Sequence, residues 1–312
     1  MAHLNFGKFK VVTVFRTTLL LVASTTLLAT ANLSADQVES SNPADIKHQR
    51  LSLLLSLDHD PVHLTTEEQF MVGSIYFYGQ RDDDDLRTAA NYFYLAAEAG
   101  HKEAQYLIAH MYEKGIGIGA NKHYSDRWYK KSASAGFAPA QYKLGSLLQN
   151  EARSQVDYMT SAAWYLRAAH QGNAEAQNQL GMLYFAGKGV EKDYQMSESW
   201  FRKSAYQGNP EAQTNLGILY LQGIVVEQDF YTAIEWFFKA AAQNDLDAHY
   251  YLGVMYSYGV GVLKNLRKAH RWLERGSQRG HILSKHELDT LHERLFSDTV
   301  KKYNKHKYTL TG

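Results

Sequence analysis

The chain has 312 residues, 45% of them hydrophobic and 21% charged, a balance that excludes both a disordered chain and a polytopic membrane protein and leaves length for one or two cores. Lysine and arginine (33) almost cancel aspartate and glutamate (32), for a formal charge of +1; without a basic excess to neutralise a phosphate backbone, nucleic acid is not an expected partner. The absence of cysteine removes disulfide frameworks, thiolate metal sites and cysteine nucleophiles.

Met1 to Arg16 carries Lys8, Lys10 and Arg16 and no acid, and the uncharged stretch Thr17 to Leu28 leads into Ala29-Thr30-Ala31. Cations, then an apolar run, then small residues predict a secretory signal peptide over 1–31, cleaved after Ala31. The alternative is an uncleaved membrane anchor, because the uncharged run extends to Leu33. It remains short of the roughly 20 apolar residues of a span, and threonine and serine dilute it. No cysteine stands at the cut to carry a lipid. The expected location is therefore periplasmic or secreted, with no stable membrane span after cleavage. Residues 32–64 follow as a linker and an N-terminal capping helix, the latter read from Pro43 to Leu57 with Ile46, Leu51, Leu54 and Leu55 on its apolar side.

An internal repeat governs what comes next. The five tryptophans, Trp128, Trp164, Trp200, Trp236 and Trp272, are each 36 residues apart. Gly100, Gly136, Gly172, Gly208 and Gly280 keep the same step, with Asn244 in the gap; asparagine is the other residue that tolerates a left-handed backbone. One step back, Tyr92 joins the tryptophan column, and Gly79 heads a second glycine column with Gly115, Gly187, Gly223 and Gly259. Six units of 36 residues are thus expected over 65–280: 65–100, 101–136, 137–172, 173–208, 209–244 and 245–280.

Each unit reads as two helices. Ala104, Ala140, Ala176, Ala212 and Ala248 begin an apolar stripe continued four residues on by Ile108, Leu144, Leu180, Leu216 and Leu252, then by Tyr112, Tyr184, Tyr220 and Tyr256. Beside the leucines stand Gly73, Ala109, Gly145, Gly181, Gly217 and Gly253, although glycine costs a helix about 1 kcal/mol. Close approach of a neighbouring helix is the expected reason. Asp85, Asn121, Asp157, Asp193, Asp229 and Asn265 are all N-cap formers and mark the start of the second helix. The tryptophans follow in that helix as core residues, with paired small residues such as Ala168-Ala169 and Ala240-Ala241 as their sockets. Pro139 and Pro210 fall in the first turn of the first helix, where proline is accepted.

A two-helix unit cannot bury its apolar face alone. The expected fold is all-α, a right-handed α/α solenoid of six repeats with terminal capping helices, the C-terminal one at 281–296 and a frayed tail at 297–312. The pattern A-x-x-x-L-G-x-x-Y-x-x-G-x-G-V, then D-x-x-x-A-x-x-W and K-A-A-x-x-G, resembles the Sel1-like repeat, a relative of the tetratricopeptide repeat. Residues 176–208 match it most closely. The third unit departs, with Glu151 and Arg153 replacing both loop glycines and Leu148 replacing tyrosine, so its loop is expected to be reshaped. The resemblance implies a scaffold for other macromolecules and no shared catalytic apparatus. It also implies, for an exported bacterial member, envelope assemblies, polysaccharide export, flagellar motors or host-cell contact.

Motifs that would carry chemistry are incomplete. His286-Glu287 is followed by His292 rather than by a histidine four residues on, which puts the imidazoles on different helical faces. Asp82 to Asp85 lacks the alternating ligands, glycine and distal glutamate of a calcium loop. Gly115 to Gly119 has no strand before it and no Gly-Lys-Ser/Thr after it. A β-lactamase-like hydrolase is the weakest reading, since no Ser-x-x-Lys occurs. No catalytic residue, metal or cofactor is assigned.

Function is then expected on side chains that vary between units. Two residues after the alanine column stand Phe70, Tyr106, Tyr142, Asn178, Thr214 and Tyr250, 200° around the helix from the alanine stripe. There they would line a concave face as aromatic anchors, or pack laterally between adjacent first helices. Gln105, Gln141, Gln177 and Gln213, with Gln69 and His249 in the same column, are candidates for hydrogen bonds to a partner backbone, or are repeat-consensus packing residues. The expected function is a non-enzymatic protein-interaction scaffold of the cell envelope, whose partners are envelope or secreted proteins. Polysaccharide or peptidoglycan, stacked on tyrosines, is the alternative.

Overall fold

The computed structural model describes residues 64–79 and 82–309; the signal segment, the linker and the N-terminal capping helix lie outside the described residues. Among the described residues there are thirteen α-helices and no strand. They are α1 (Thr66–Tyr78), α2 (Asp83–Glu98), α3 (Lys102–Lys114), α4 (Lys122–Ser134), α5 (Ala138–Glu151), α6 (Gln155–His170), α7 (Ala174–Ala186), α8 (Tyr194–Tyr206), α9 (Pro210–Gln222), α10 (Phe230–Ala241), α11 (Leu246–Tyr258), α12 (Leu266–Gln278) and α13 (Ile282–Thr309). Each odd-numbered helix up to α11 packs on the even-numbered helix after it and, past α1, on the one before it. Six helical pairs therefore stack in chain order as an α-solenoid, with α13 against α12 and α11 at the end.

The start and stop signals act mostly as the columns predict. Asn173, Asn209 and Asp245 cap α7, α9 and α11 with their side chains, and Pro210 stands at the first turn of α9. Gly115, Gly187, Gly223 and Gly259 end the first helices at φ values of 69°, 68°, 69° and 78°, where a Cβ is penalised. Asn244 replaces glycine between pairs and takes φ 67°, as its column requires.

The second helices show one correction. Asn121, Asp193, Asp229 and Asn265 are N-caps, but Asp85 and Asp157 are not. In those two units the helix starts three residues earlier, capped by Asp82 and Ser154. Asp157 instead closes a capping box, its carboxylate accepting from the Ser154 backbone N–H. The cause in the third unit is the missing glycine pair. Without a left-handed stop α5 runs to Glu151 and ends on extended Ala152, leaving a connection short enough that α6 begins early.

In the fifth unit the second loop glycine is replaced by Val225, held at φ 70° where Gly117, Gly189 and Gly261 take 66°, 69° and 66°. A β-branched residue there carries a left-handed cost of about 1–2 kcal/mol, while glycine would add about 0.4–1 kcal/mol of backbone freedom to the unfolded chain. Val225→Gly is therefore expected to stabilise the protein by about 1 kcal/mol, read as a rise in thermal midpoint. A fall would show that the half-exposed valine side chain contributes more packing than its backbone costs.

The core runs as a line of small and large residues along the stack. Ala104, Ala140, Ala176, Ala212 and Ala248 are fully buried, and the leucine column lies beside them. The small-residue column is explained by close approach, but not by the tryptophans. A Cβ on Gly73, Gly145, Gly181 or Gly217 would lie 2.8, 2.8, 2.6 or 2.7 Å from a ring atom of Phe93, Tyr165, Phe201 or Phe237. These rings occupy the position after Tyr92, Trp164, Trp200 and Trp236, with Leu273 in place of a ring after Trp272, and together with Tyr129 they are the largest side chains sealed from solvent. Trp128, Trp200 and Trp236 are buried one layer out, while Trp164 and Trp272 are half-exposed. All five carry a cation over the ring from the next turn: Lys131, Arg167, Lys203, Lys239 and Arg275, at 3.9 to 5.0 Å.

At the C-terminal end α13 buries Leu291 and Ser284 and is capped by His281, whose Nδ1 accepts from the Ser284 backbone N–H. The helix continues to Thr309, so Phe296, the expected limit of the capping helix, is not a break in secondary structure. No described helix is long and apolar enough to cross a membrane.

Candidate partner-binding face

The column two residues beyond the alanines lies on the seam between successive units. The Phe70 ring stacks on the His101 imidazole at 4.1 Å, Tyr106 meets Phe137 edge-on at 5.4 Å, and Tyr250 lies 6.0 Å from His281. Where the column turns polar, Asn178 donates to Glu211 at 3.0 Å and Thr214 donates to Asp245 at 2.9 Å. Each of these side chains reaches the start of the next unit's first helix. Phe70 is sealed, at 3% exposure, and has no free face to offer a partner. Tyr106, Tyr142 and Tyr250 are half-buried, packing by one edge and open by the other.

The glutamines lie deeper. Gln105, Gln141, Gln177 and Gln213 are buried, and their Nε2 groups donate to the carbonyls of Ala97, Ala133, Ala169 and Ala205 at 3.0 to 3.2 Å. Those carbonyls lie in the last turns of the preceding second helices, where intrahelical donors run out. The Oε1 atoms of Gln141, Gln177 and Gln213 accept in turn from Gln171, Gln207 and Gln243 at 2.7, 2.7 and 3.0 Å. The result is a ladder inside the seam. The expectation that these glutamines present hydrogen bonds to a partner is corrected: they are buried and bonded to the scaffold itself.

What stands beside the tyrosines instead is carboxylate. The residue before each core alanine is Glu103, Glu175, Glu211 or Asp247, with Pro139 in the gap, and Glu67 holds the same register position in the first unit, where Glu68 replaces the alanine. An acid in the first turn favours the helix start, and nothing in a single unit marks it as more than that. Stacking brings the carboxylates together. Burial, with Asp245, Asp247 and Glu175 nearby, raises the Glu211 pKa, and burial followed by Asp247 does the same to Asp245 against the pull of its capping bonds. Burial, with Glu67 nearby, raises Glu103. The Tyr106 phenol is pushed up to about 12 by burial first, then by Glu113, Tyr142 and Glu175; burial, Glu175 and Glu211 raise Tyr142. Asp247 pairs with His281 and Glu67 with His101, but Glu103, Glu175 and Glu211 form no ion pair among the described residues. The face of the first helices is thus a row of phenols and uncompensated carboxylates.

No cluster of three or more histidine, aspartate or glutamate residues with metal-holding geometry occurs among the described residues. His286 and His292 are both exposed on α13, and His292 stacks near His270 at 5.1 Å.

Comparison with known proteins agrees with this architecture. The family model of the Sel1 repeat matches six consecutive segments, residues 69–101, 102–137, 138–173, 174–209, 210–245 and 246–281. A crystal structure of a protective antigen present in uropathogenic Escherichia coli strains, displaying an SLR fold, superposes with a TM-score of 0.64 at 31% identity. That likeness covers 74% of this chain and 50% of that one. A Sel1 repeat protein from Oxalobacter formigenes gives a TM-score of 0.63 at 28% identity over 72% of this chain and 93% of its own. Among curated proteins, the mouse protein sel-1 homolog 2 is 36% identical over 59 residues, 19% of this chain and 9% of that protein. The chain therefore spans half of the first structural relative and under a tenth of the curated one.

Proposed function

Because the chain belongs to the Sel1 repeat family, whose α-solenoids typically serve as protein-interaction modules and are generally non-catalytic, we propose that it is an exported, non-enzymatic scaffold of the bacterial cell envelope. Its partner protein sits on the concave face formed by the first helices. The observation that carries the reading is the row of half-buried Tyr106, Tyr142 and Tyr250 interleaved with Glu175 and Glu211. Tyrosine gives large contact area at low entropic cost, and carboxylates held close together without cations favour a basic segment opposite them. Export rests on the order of cations, apolar run and small residues over 1–31.

The test is cross-linking of the tagged protein in its native envelope, comparing wild type with a Glu175→Gln, Glu211→Gln variant. Glutamine keeps an acceptor for Asn178, so the melting temperature should hold while capture of the wild-type partner falls and depends less on salt. Equal capture by both forms removes the acidic face from the interface. Binding of purified peptidoglycan or exopolysaccharide, with no protein captured, replaces the protein partner by a glycan.

A further inference from the structure

The units differ where they meet the tryptophan column. The His170 imidazole stands edge-on to Trp200 at 5.6 Å, and the Tyr206 phenol stands edge-on to Trp236 at 5.5 Å. The next residue in that column is Ala242, so the column supplies no ring to Trp272, which meets Phe238 at 5.9 Å and His249 at 5.4 Å instead. A cavity of about 530 Å³ opens there, between the end of α10 and the helices α11 and α12, lined by Phe238, Ala242, Trp272 and the polar residues of the next turn. That volume lies within the roughly 300–1,000 Å³ of small-ligand pockets.

The same place breaks the glutamine ladder. His249 stands where the other units have glutamine, and Arg279 stands where Gln171, Gln207 and Gln243 supply the amide. His249 is 3% exposed, and its Nδ1 lies 2.6 Å from the Asp245 carbonyl oxygen, so Nδ1 carries the proton and donates. Arg275 is held over the Trp272 ring at 5.0 Å. Both Arg275 and Arg279 border the cavity, and neither forms an ion pair with a carboxylate among the described residues. Burial, reinforced by these two guanidinium groups, lowers the His249 pKa against the pull of its carbonyl bond. The cavity thus joins an aromatic corner, in which Phe238 meets Trp272 edge-on at 5.9 Å and 63° and leaves part of the indole uncovered, to two cations with no counter-charge.

We propose that this cavity binds a carboxylate carried on a flat apolar body, either a free aromatic acid or the aromatic C-terminal residue of a peptide. The planar guanidinium fork suits a carboxylate, which can accept two parallel hydrogen bonds from it. The vacant ring position beside Trp272 takes the apolar body, as Tyr206 takes it beside Trp236. The site is opposite in charge to the face of the first helices and shares no tyrosine with it.

The experiment is calorimetric titration of the full chain with N-acetylphenylalanine, with its amide, and with a short peptide ending in phenylalanine as free acid or amide. Wild type should bind the free acid saturably at millimolar concentration or below. The amide, and the free acid added to Arg279→Gln, should bind about tenfold or more weaker, the loss of one charge-assisted contact. Ala242→Tyr copies the residue of the preceding unit into an exposed position, so it should keep the wild-type melting temperature and abolish binding. Absence of saturable binding by wild type overturns the proposal, as does equal binding of acid and amide or undiminished binding by Ala242→Tyr. Binding of N-acetylphenylalanine alone assigns the site to small aromatic acids; binding of the peptide acid as well assigns it also to chain termini.

Discussion

Phe237→Ala is expected to destabilise the protein by about 3–5 kcal/mol, the range for truncating a sealed aromatic side chain. Trp272→Ala should cost less, although tryptophan is the larger side chain and carries the period of the repeat. The reason is position. Phe237 has no solvent exposure, lies against Gly217 closely enough to exclude a Cβ, and stacks on Tyr251 at 4.9 Å and 5°. Its removal leaves a cavity between α9, α10 and α11 that rigid helices cannot close. Trp272 is half-exposed and borders an open cavity, so water reaches the space it would vacate. Because stability in a stacked array is a sum of units and interfaces, a loss at Phe237 should also weaken the coupling between the fifth and sixth units. Urea unfolding followed by circular dichroism checks both variants. A cost at Trp272 equal to or above that at Phe237 would mean that the tryptophan column, not the ring after it, is the centre of the stack.

That contrast marks what a single sequence shows of this fold. Period, helix pairing, the left-handed stops and most caps are local, and a local residue choice at a fixed step reveals them: glycine or Asn244 at a positive φ, proline in a first turn, aspartate at a cap. The ring at 93, 129, 165, 201 and 237 is phenylalanine in three units and tyrosine in two, so identity does not flag it, and only the facing glycine column hints that a ring must fit there. The early start of α6 follows from the missing glycine stop, whereas α2 starts early although Gly79 stands at the stop position, with φ −94° in place of the left-handed value of the other stops. The acidic row is a property of stacking: each carboxylate is an ordinary first-turn acid within its own helix, and only adjacency between units brings Glu175, Glu211 and Asp247 within reach of one another. The glutamines are a case of the opposite kind, a uniform polar column that reads as a surface and serves as a buried brace.

The brace gives the other large expected effect. Gln177→Met keeps the length of the side chain and removes both of its hydrogen bonds, the one donated to the Ala169 carbonyl and the one accepted from Gln207. Two net bonds of about 1 kcal/mol each give an expected destabilisation of about 2 kcal/mol. Capture of a partner should not change once folded protein is compared at equal concentration. The ladder carries its own control at the second unit. The position equivalent to Gln171 and Gln207 is Ala135, and the buried Oε1 of Gln105 accordingly has no hydrogen-bond partner. Ala135 ends its helix at φ −75° and ψ 3°, close to the −83° and 4° of Gln171, and it is exposed. Ala135→Gln should therefore place an amide against Gln105 without strain and raise stability by about 1 kcal/mol, less the rotamer entropy the new side chain loses. If Gln177→Met leaves the thermal midpoint unchanged while partner capture collapses, the column contacts the partner after all. If Gln177→Met lowers the midpoint and Ala135→Gln raises it, both signs follow from one geometry, in which the glutamine donates to a carbonyl at the end of the preceding unit, already bonded to a backbone N–H, and accepts from its own unit's second helix.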